Sequence, residues 1–228
     1  MKAYVGTSGW MYSWNGDGSL DWYTENSGLN AIELNASFYR FPFPNQVKAW
    51  AKKENNLAWS VKVNQLITHR FKLNKNSFLT FSRFLRLFKP LDKRIKFYLF
   101  QLPPFITTNL LENIGRFQSK FALGSRFALE ARNVSWFNED IYKQIRSLGI
   151  TMVSVDSPQG SFFVKTSKEV YLRVHGRRTW YDYKYSRKEL DGFRLKIKAL
   201  KPNNAYVFFN NDHAMLDNGR EMLNLLRR

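Results

Sequence analysis

A chain of 228 residues, 44% of them hydrophobic, can bury a substantial core as one large domain or two small ones, and α/β barrels of this size fold as one. It contains no cysteine, which excludes disulfides, a thiol nucleophile and cysteine-ligated zinc or iron–sulfur centres. The formal charge is +18, and the excess lies wholly in residues 61–228, which hold 31 basic and 13 acidic side chains, because residues 1–60 hold five of each.

That asymmetry points to an anionic partner, a small molecule or a nucleic acid. A generally basic solvated surface accounts for it equally well. No uncharged apolar run is long enough to span a bilayer, so no membrane partner is expected. The opening "MKAYVGTSGW" lacks the apolar core of a secretory signal, and the expected location is the cytoplasm. Nothing in the sequence fixes an oligomeric state.

Short β-rich runs alternate with longer amphipathic ones along the chain. Strands are predicted at 3–6, 31–35, 58–63, 95–101, 127–132, 150–156, 170–175 and 205–210. Helical patterns lie between most of them, at about 44–54, 74–89, 108–120, 138–147, 186–200 and 212–227. The helix "NEDIYKQIRSLG" has acids at its start and Gly149 as its stop, the polarity that helix ends favour. The link "SPQGSFFVKTSKE" between the sixth and seventh strands carries no helix. Eight strands alternating with helices predict a single TIM-barrel-like (β/α)8 domain over residues 1–228, irregular between strands six and seven.

Side chains alternate along a strand, so the carboxyl ends can be read face by face. Glu33 and Asn35 share a face, as do Lys62 and Asn64, Leu99 and Gln101, Glu130 and Arg132, Ser154 and Asp156, Arg173 and His175, and Phe208 and Asn210. Seven faces that begin small or apolar end polar. In a barrel they would meet at the C-terminal mouth, where barrel enzymes carry their active sites. Each position alone also has a plain reading, such as Glu33 held as a satisfied core acid by Arg173.

The expected catalytic groups are Glu33, Glu130, Asp156 and His175, as general acids and bases. Lys62, Arg132 and Arg173 suit a phosphate or carboxylate. Three acids against three permanent cations leave a divalent metal possible but not favoured, since such a metal usually sits in excess carboxylate and imidazole, and the sequence leaves any cofactor unknown. Tyr12, Tyr39 and Trp136 are expected at the rim with Arg40, His69, Asn210 and Asp212, although packing accounts for most aromatics. The "GTSG" of residues 6–9 could offer backbone N–H groups to an anion, a weak signal.

Two basic tracts stand out. The first, 83–96, reads as a solvated helix face and its exit. The second, 173–201, interleaves cations with Trp180, Tyr181, Tyr183 and Tyr185, a mixture that single-stranded nucleic-acid surfaces use.

The ordered motifs "GTSGWMYSW", "ELNASFYR", "VKVNQLITH", "LFQLPP", "FALEARNVSWF", "VSVDSP", "YLRVHGR" and "AYVFFNND" resemble the domain of unknown function 72, or YecE-like, family over about residues 3–225. The resemblance implies a TIM-barrel-like fold and a polar pocket at its mouth. The matching positions are Glu33, Asn35, Tyr39, Arg40, Lys62, His69, Gln101, Glu130, Arg132, Asp156, Arg173, His175, Asn210 and Asp212. It implies no reaction. Leu34, Ala36, Asn133, Val134 and the His213–Met215 stretch depart from the family's usual residues and leave the charged positions intact. The preferred expectation is a hydrolase-type enzyme acting on a phosphate- or carboxylate-bearing substrate. The alternatives are a non-catalytic nucleic-acid-binding protein and a sugar or small-metabolite enzyme.

Overall fold

The computed structural model describes residues 1–53 and 55–228. Their contacts divide the chain into two compact units, one of residues 1–33 and 152–228 and the other of residues 34–151.

The first unit is built on a largely parallel sheet. Strand β1 (Lys2–Ser8) pairs with β2 (Ala31–Leu34) on one side and β10 (Asn204–Phe209) on the other, β10 pairs with β9 (Glu169–Val174), and β9 with β7 (Ser154–Ser157). Helices α1 (Leu20–Asn26), α7 (Arg187–Ala199) and α8 (Met215–Arg227) accompany it. The predicted sixth strand is interrupted at Val153, leaving β6 (Thr151–Met152) and β7. The polar link after it explains the break. The Thr166 hydroxyl accepts from the Met152 N–H at 2.8 Å, and the Ser154 hydroxyl exchanges hydrogen bonds with the backbone of Val164. The link forms no helix, as its composition indicates. It folds back instead as an antiparallel strand, β8 (Gly160–Phe162), on β7.

Gly6 is obligatory for the β1–β2 contact, since a Cβ there would lie 2.2 Å from the carbonyl oxygen of Ala31. Residues 6–8 are therefore part of a paired strand rather than an anion-binding loop, and the Thr7 N–H donates to the buried Tyr23 hydroxyl at 3.2 Å.

The second unit holds β3 (Ala58–Lys62), β4 (Ile95–Gln101) and β5 (Phe127–Glu130), parallel and in that order. With them come α2 (Ala36–Tyr39), α3 (Pro44–Lys52), α4 (Asn76–Phe88), α5 (Leu111–Phe121) and α6 (Glu139–Ser147). A π-helical turn spans Leu66–Arg70. Phe81, Phe84, Phe88, Tyr98, Phe100, Phe117 and Phe127 form its core, with Phe100 and Phe127 stacked at 3.9 Å. Such aromatic pairs add about 0.5–1.5 kcal/mol beyond the burial of their area.

Local signals mark the helix starts. Ser19 caps α1, Asn138 caps α6, and Ser186 with Glu189 forms a capping box on α7. The helices α1 and α2 and the π-helical turn are too short to show a 3.6-residue period, and the sequence pattern does not reveal them. The four C-terminal carbonyls of a helix lack internal donors, and two arginines supply them. Arg220 donates to the carbonyls of Asn26 and Ser27 at the end of α1. Arg94 donates to those of Trp50, Ala51, Lys53 and Asn55 at 2.6–3.4 Å, closing α3.

Arg94→Met is expected to destabilise the protein by about 2–3 kcal/mol, the worth of charge-assisted bonds to otherwise orphaned carbonyls, read from its urea unfolding midpoint.

Candidate functional site

The sequence-predicted residues fall into groups that can be described within each unit. In the first, Glu33 and Arg173 are both fully buried. Arg173 grips the carboxylate with two nitrogens, Nη2 to Oε1 at 2.5 Å and Nε to Oε2 at 3.0 Å. Ser8 donates to Oε1 at 2.6 Å and the Tyr171 hydroxyl donates to Oε2. Four donors thus occupy the carboxylate, the plain reading of a satisfied core acid.

Asp156, on β7, is 1% exposed and differently placed. Its Oδ2 accepts from the Tyr185 hydroxyl at 2.6 Å and from Nε of Arg177 at 3.3 Å. Its Oδ1 is buried and meets no donor among the described residues. A buried acceptor without a donor costs about 1–3 kcal/mol and calls for an explanation. Burial pushes the Tyr185 hydroxyl far up, and the neighbouring Asp156 carboxylate adds to the shift, so Tyr185 stays a donor at any physiological pH. Arg177 also reaches Glu189 at 3.1 Å. Burial alone would lower the Arg177 pKa, but Asp156 and Glu189 together raise it.

The following loop is tightly wound. The His175 N–H donates to the Asp156 carbonyl at 2.8 Å, and the Tyr181 N–H donates to the His175 carbonyl at 2.7 Å. A Cβ on Gly176 would come within 2.4 Å of the Thr179 oxygen. Tyr181 holds φ at +68°, a left-handed conformation that a bulky residue adopts only at a cost of order 1–3 kcal/mol. The buried His175 ring lies against Trp180 and Tyr181 and within 3.3 Å of Asn210 Nδ2. Hydrogen bonds continue from Tyr185 through Asn218 to Asn211, which is 1% exposed and whose Oδ1 is also without a donor among the described residues. Asn211 lines a cavity of about 260 Å³ with Asp182, Tyr183, Lys184, His213, Ala214 and Asp217. Asp212, with φ at +53°, sits 3.6 Å from the exposed His213 ring. Tyr12 stacks on Trp14 and donates to the Ser8 carbonyl.

In the second unit, Glu130 is fully buried and Arg132 bonds it at 2.9 Å, with Gln101 opposite Glu130 in the β4–β5 register. Lys62 lies 4.3 Å from the Phe38 ring centre, and His69 meets the same ring edge-on. Burial, and then the Lys62 charge, lower the His69 pKa below its usual 6.5. Tyr39 and Arg40 are exposed. Trp136 is fully buried, with its indole N–H donated to the Ile106 carbonyl, so it presents no stacking face. Asn35, Arg132, His175 and Asn210 lie just past the ends of their strands, and Asn35 takes helical backbone angles at the N-cap of α2. The alternation argument therefore does not extend to these four.

Among the described residues no three or more His, Asp or Glu side chains group as metal ligands. Sequence reasoning missed Arg177, Asn211 and Asn218 as members of the Asp156 network. Arg177 lies in the motif "YLRVHGR", and its adjacency to His175 is the one available signal.

The fold defined by these βα units is α/β and TIM-barrel-like. It matches the crystal structure of a DUF72 family protein from Thermotoga maritima MSB8 with a TM-score of 0.86, at 27% identity over all of both chains. A DUF72 family protein from Enterococcus faecalis V583 matches with a TM-score of 0.85, at 19% identity over 99% of this chain and 96% of that one. The model of the family "Protein of unknown function DUF72" matches residues 4–228, and the chain belongs to that family. The UPF0759 protein YunF of Bacillus subtilis (strain 168) is 27% identical over 98% of this chain and 94% of its own length. No helix of the described residues is long and apolar enough to cross a membrane.

Arg173→Met strands a buried carboxylate and is expected to cost about 3–5 kcal/mol in urea unfolding, with Glu33→Leu in the same chain recovering much of it. His69 takes up its proton less readily folded than unfolded. Stability should therefore fall as pH drops below 6.5, and His69→Gln should flatten that fall in thermal melts between about pH 7 and 5.

Proposed function

We propose that the chain is a hydrolase-type enzyme with Asp156 as general acid–base, acting on a small, neutral, hydroxyl-bearing substrate. The observation that carries this reading is the asymmetry of Asp156. One oxygen is fixed by Tyr185 and Arg177, and the other is buried without a donor among the described residues. A carboxylate oriented on one oxygen can take a proton from an attacking water on the other and then return it to the leaving group, while Tyr185 and Arg177 hold its orientation.

The pairing of the cations around Asp156 supports a neutral substrate. Beside Asp156, an anion would have to displace Glu33 from Arg173, or Asp156 and Glu189 from Arg177. The cavity linked to Asp156 by hydrogen bonds through Tyr185, Asn218 and Asn211 carries two acids, one lysine and an amide oxygen that meets no donor among the described residues. This lining suits hydroxyl donors better than a phosphate. The left-handed Tyr181 beside His175 fits a site that holds its geometry at a cost in strain.

A panel of p-nitrophenyl glycosides, acyl esters and phosphate esters tests the reading. Turnover of a glycoside or acyl ester is expected, with Asp156→Asn lowering kcat by at least about 100-fold while leaving the fold intact by circular dichroism. Full turnover by that variant would remove Asp156 from the chemistry. Hydrolysis confined to the phosphate esters would restore an anionic substrate.

A further inference from the structure

The tract 173–201 and the cations of α3 and α4 differ in a way that composition does not show. In 173–201, the tract that composition favours, four cations have carboxylate partners: Arg173 with Glu33, Arg177 with Asp156 and Glu189, Arg187 with Glu221, and Arg194 with Asp191. Lys196 lies over the Phe163 ring. The cations on α3 and α4 are arranged otherwise. Pro44 and Lys48 of α3, Arg83, Arg86 and Leu87 of α4, and Pro90 line a groove of about 320 Å³. Lys48, Arg83 and Arg86 have no hydrogen-bond, carboxylate or ring partner among the described residues.

Residues 44–96 hold thirteen basic side chains and only two acidic ones, Glu54 and Asp92. Asp92 is engaged by Arg126 and by the Tyr98 hydroxyl. Three like charges facing one groove repel one another, and a counter-anion removes that cost. Phe43, the residue before Pro44 on the groove wall, is 66% exposed, an unusual placement for a phenylalanine. Apolar floor, unpaired cations and an exposed ring together match single-stranded nucleic acid, whose phosphates take the cations and whose bases stack on the ring.

We propose that the α3–α4 groove is a binding site for single-stranded nucleic acid. Lys48, Arg83 and Arg86 contact successive phosphates and Phe43 stacks on a base. The site is independent of Asp156 and its chemistry.

The test is fluorescence anisotropy of the full chain with a labelled oligothymidylate of about 20 nucleotides, titrated across salt concentrations. Lys48→Glu/Arg83→Glu/Arg86→Glu is expected to lower affinity at least tenfold at about 100 mM salt. Its neutral counterpart, with Gln at all three positions, should flatten the plot of log affinity against log salt by about 2, because each phosphate left without its cation removes roughly 0.7 from the slope. Arg178→Glu/Lys188→Glu/Lys198→Glu, an equal charge change in the other tract, should cost markedly less. Phe43→Ala should weaken the oligonucleotide and leave inorganic polyphosphate unaffected. Thermal melts establish that each variant is folded, and the Gln variant keeps the test decisive if the Glu variant is not.

Wild-type affinity in the α3–α4 variants would overturn the proposal. So would an equal loss of affinity in the control variant, which would mean that net charge alone governs binding. Competition by poly-glutamate as effective as by unlabelled oligonucleotide, or an unchanged Phe43→Ala, would reduce the groove to a general polyanion surface and overturn its assignment to nucleic acid.

Discussion

The Glu33–Arg173 pair is the constraint on which the first unit depends. Two charges taken wholly out of water are tolerated only with near-ideal geometry and with their remaining hydrogen-bonding capacity met. Ser8 on β1 and Tyr171 on β9 meet it for Glu33 on β2. In strand order β2 and β9 are separated by β1 and β10, a span of about 14 Å in a flat sheet at the usual spacing. A bidentate contact across that span requires the sheet of this unit to curl until its inner face meets itself. The pair thus fixes curvature and register together. A one-residue slip of β9 would turn Tyr171 and Arg173 to the opposite face and leave Glu33 stranded.

Much of the fold is legible in the sequence because its elements are long and periodic. All eight predicted strands and six predicted helices correspond to observed elements, with boundaries shifted by a few residues. Those shifts matter most at the strand ends, where the predicted site lies. Alternation puts Glu33 and Asn35 on one face, but Asn35 has already turned into α2. What escapes is structure made by single hydrogen bonds, such as the clamp of Thr166 and Ser154 that breaks the sixth strand. No periodicity encodes such contacts.

The candidate site is legible as a set of residue types and not as a set of roles. The sequence marks Glu33, Glu130 and Asp156 alike as acids at strand ends. Only the folded arrangement distinguishes a carboxylate with four donors from one with an oxygen that meets no donor among the described residues. The same holds for charge. Composition favours the tract at 173–201 as a nucleic-acid surface, yet several of its arginines are neutralised by partners that lie from three to 140 residues away in the chain. Pairing, rather than number, decides which cations are available to a ligand.

The antiparallel return of β8 has a consequence for how the protein behaves in company. A parallel sheet that stopped at β7 would expose that strand's unpaired N–H and C=O groups. β8 covers them and is itself only three residues long, Gly160–Phe162, with Gly160 at φ +142° breaking any extension. A strand so short offers a neighbouring chain little to zip onto. The segment that lacks a helix thereby acts as a selvedge, finishing this border of the sheet against adhesion to other molecules in a crowded cell.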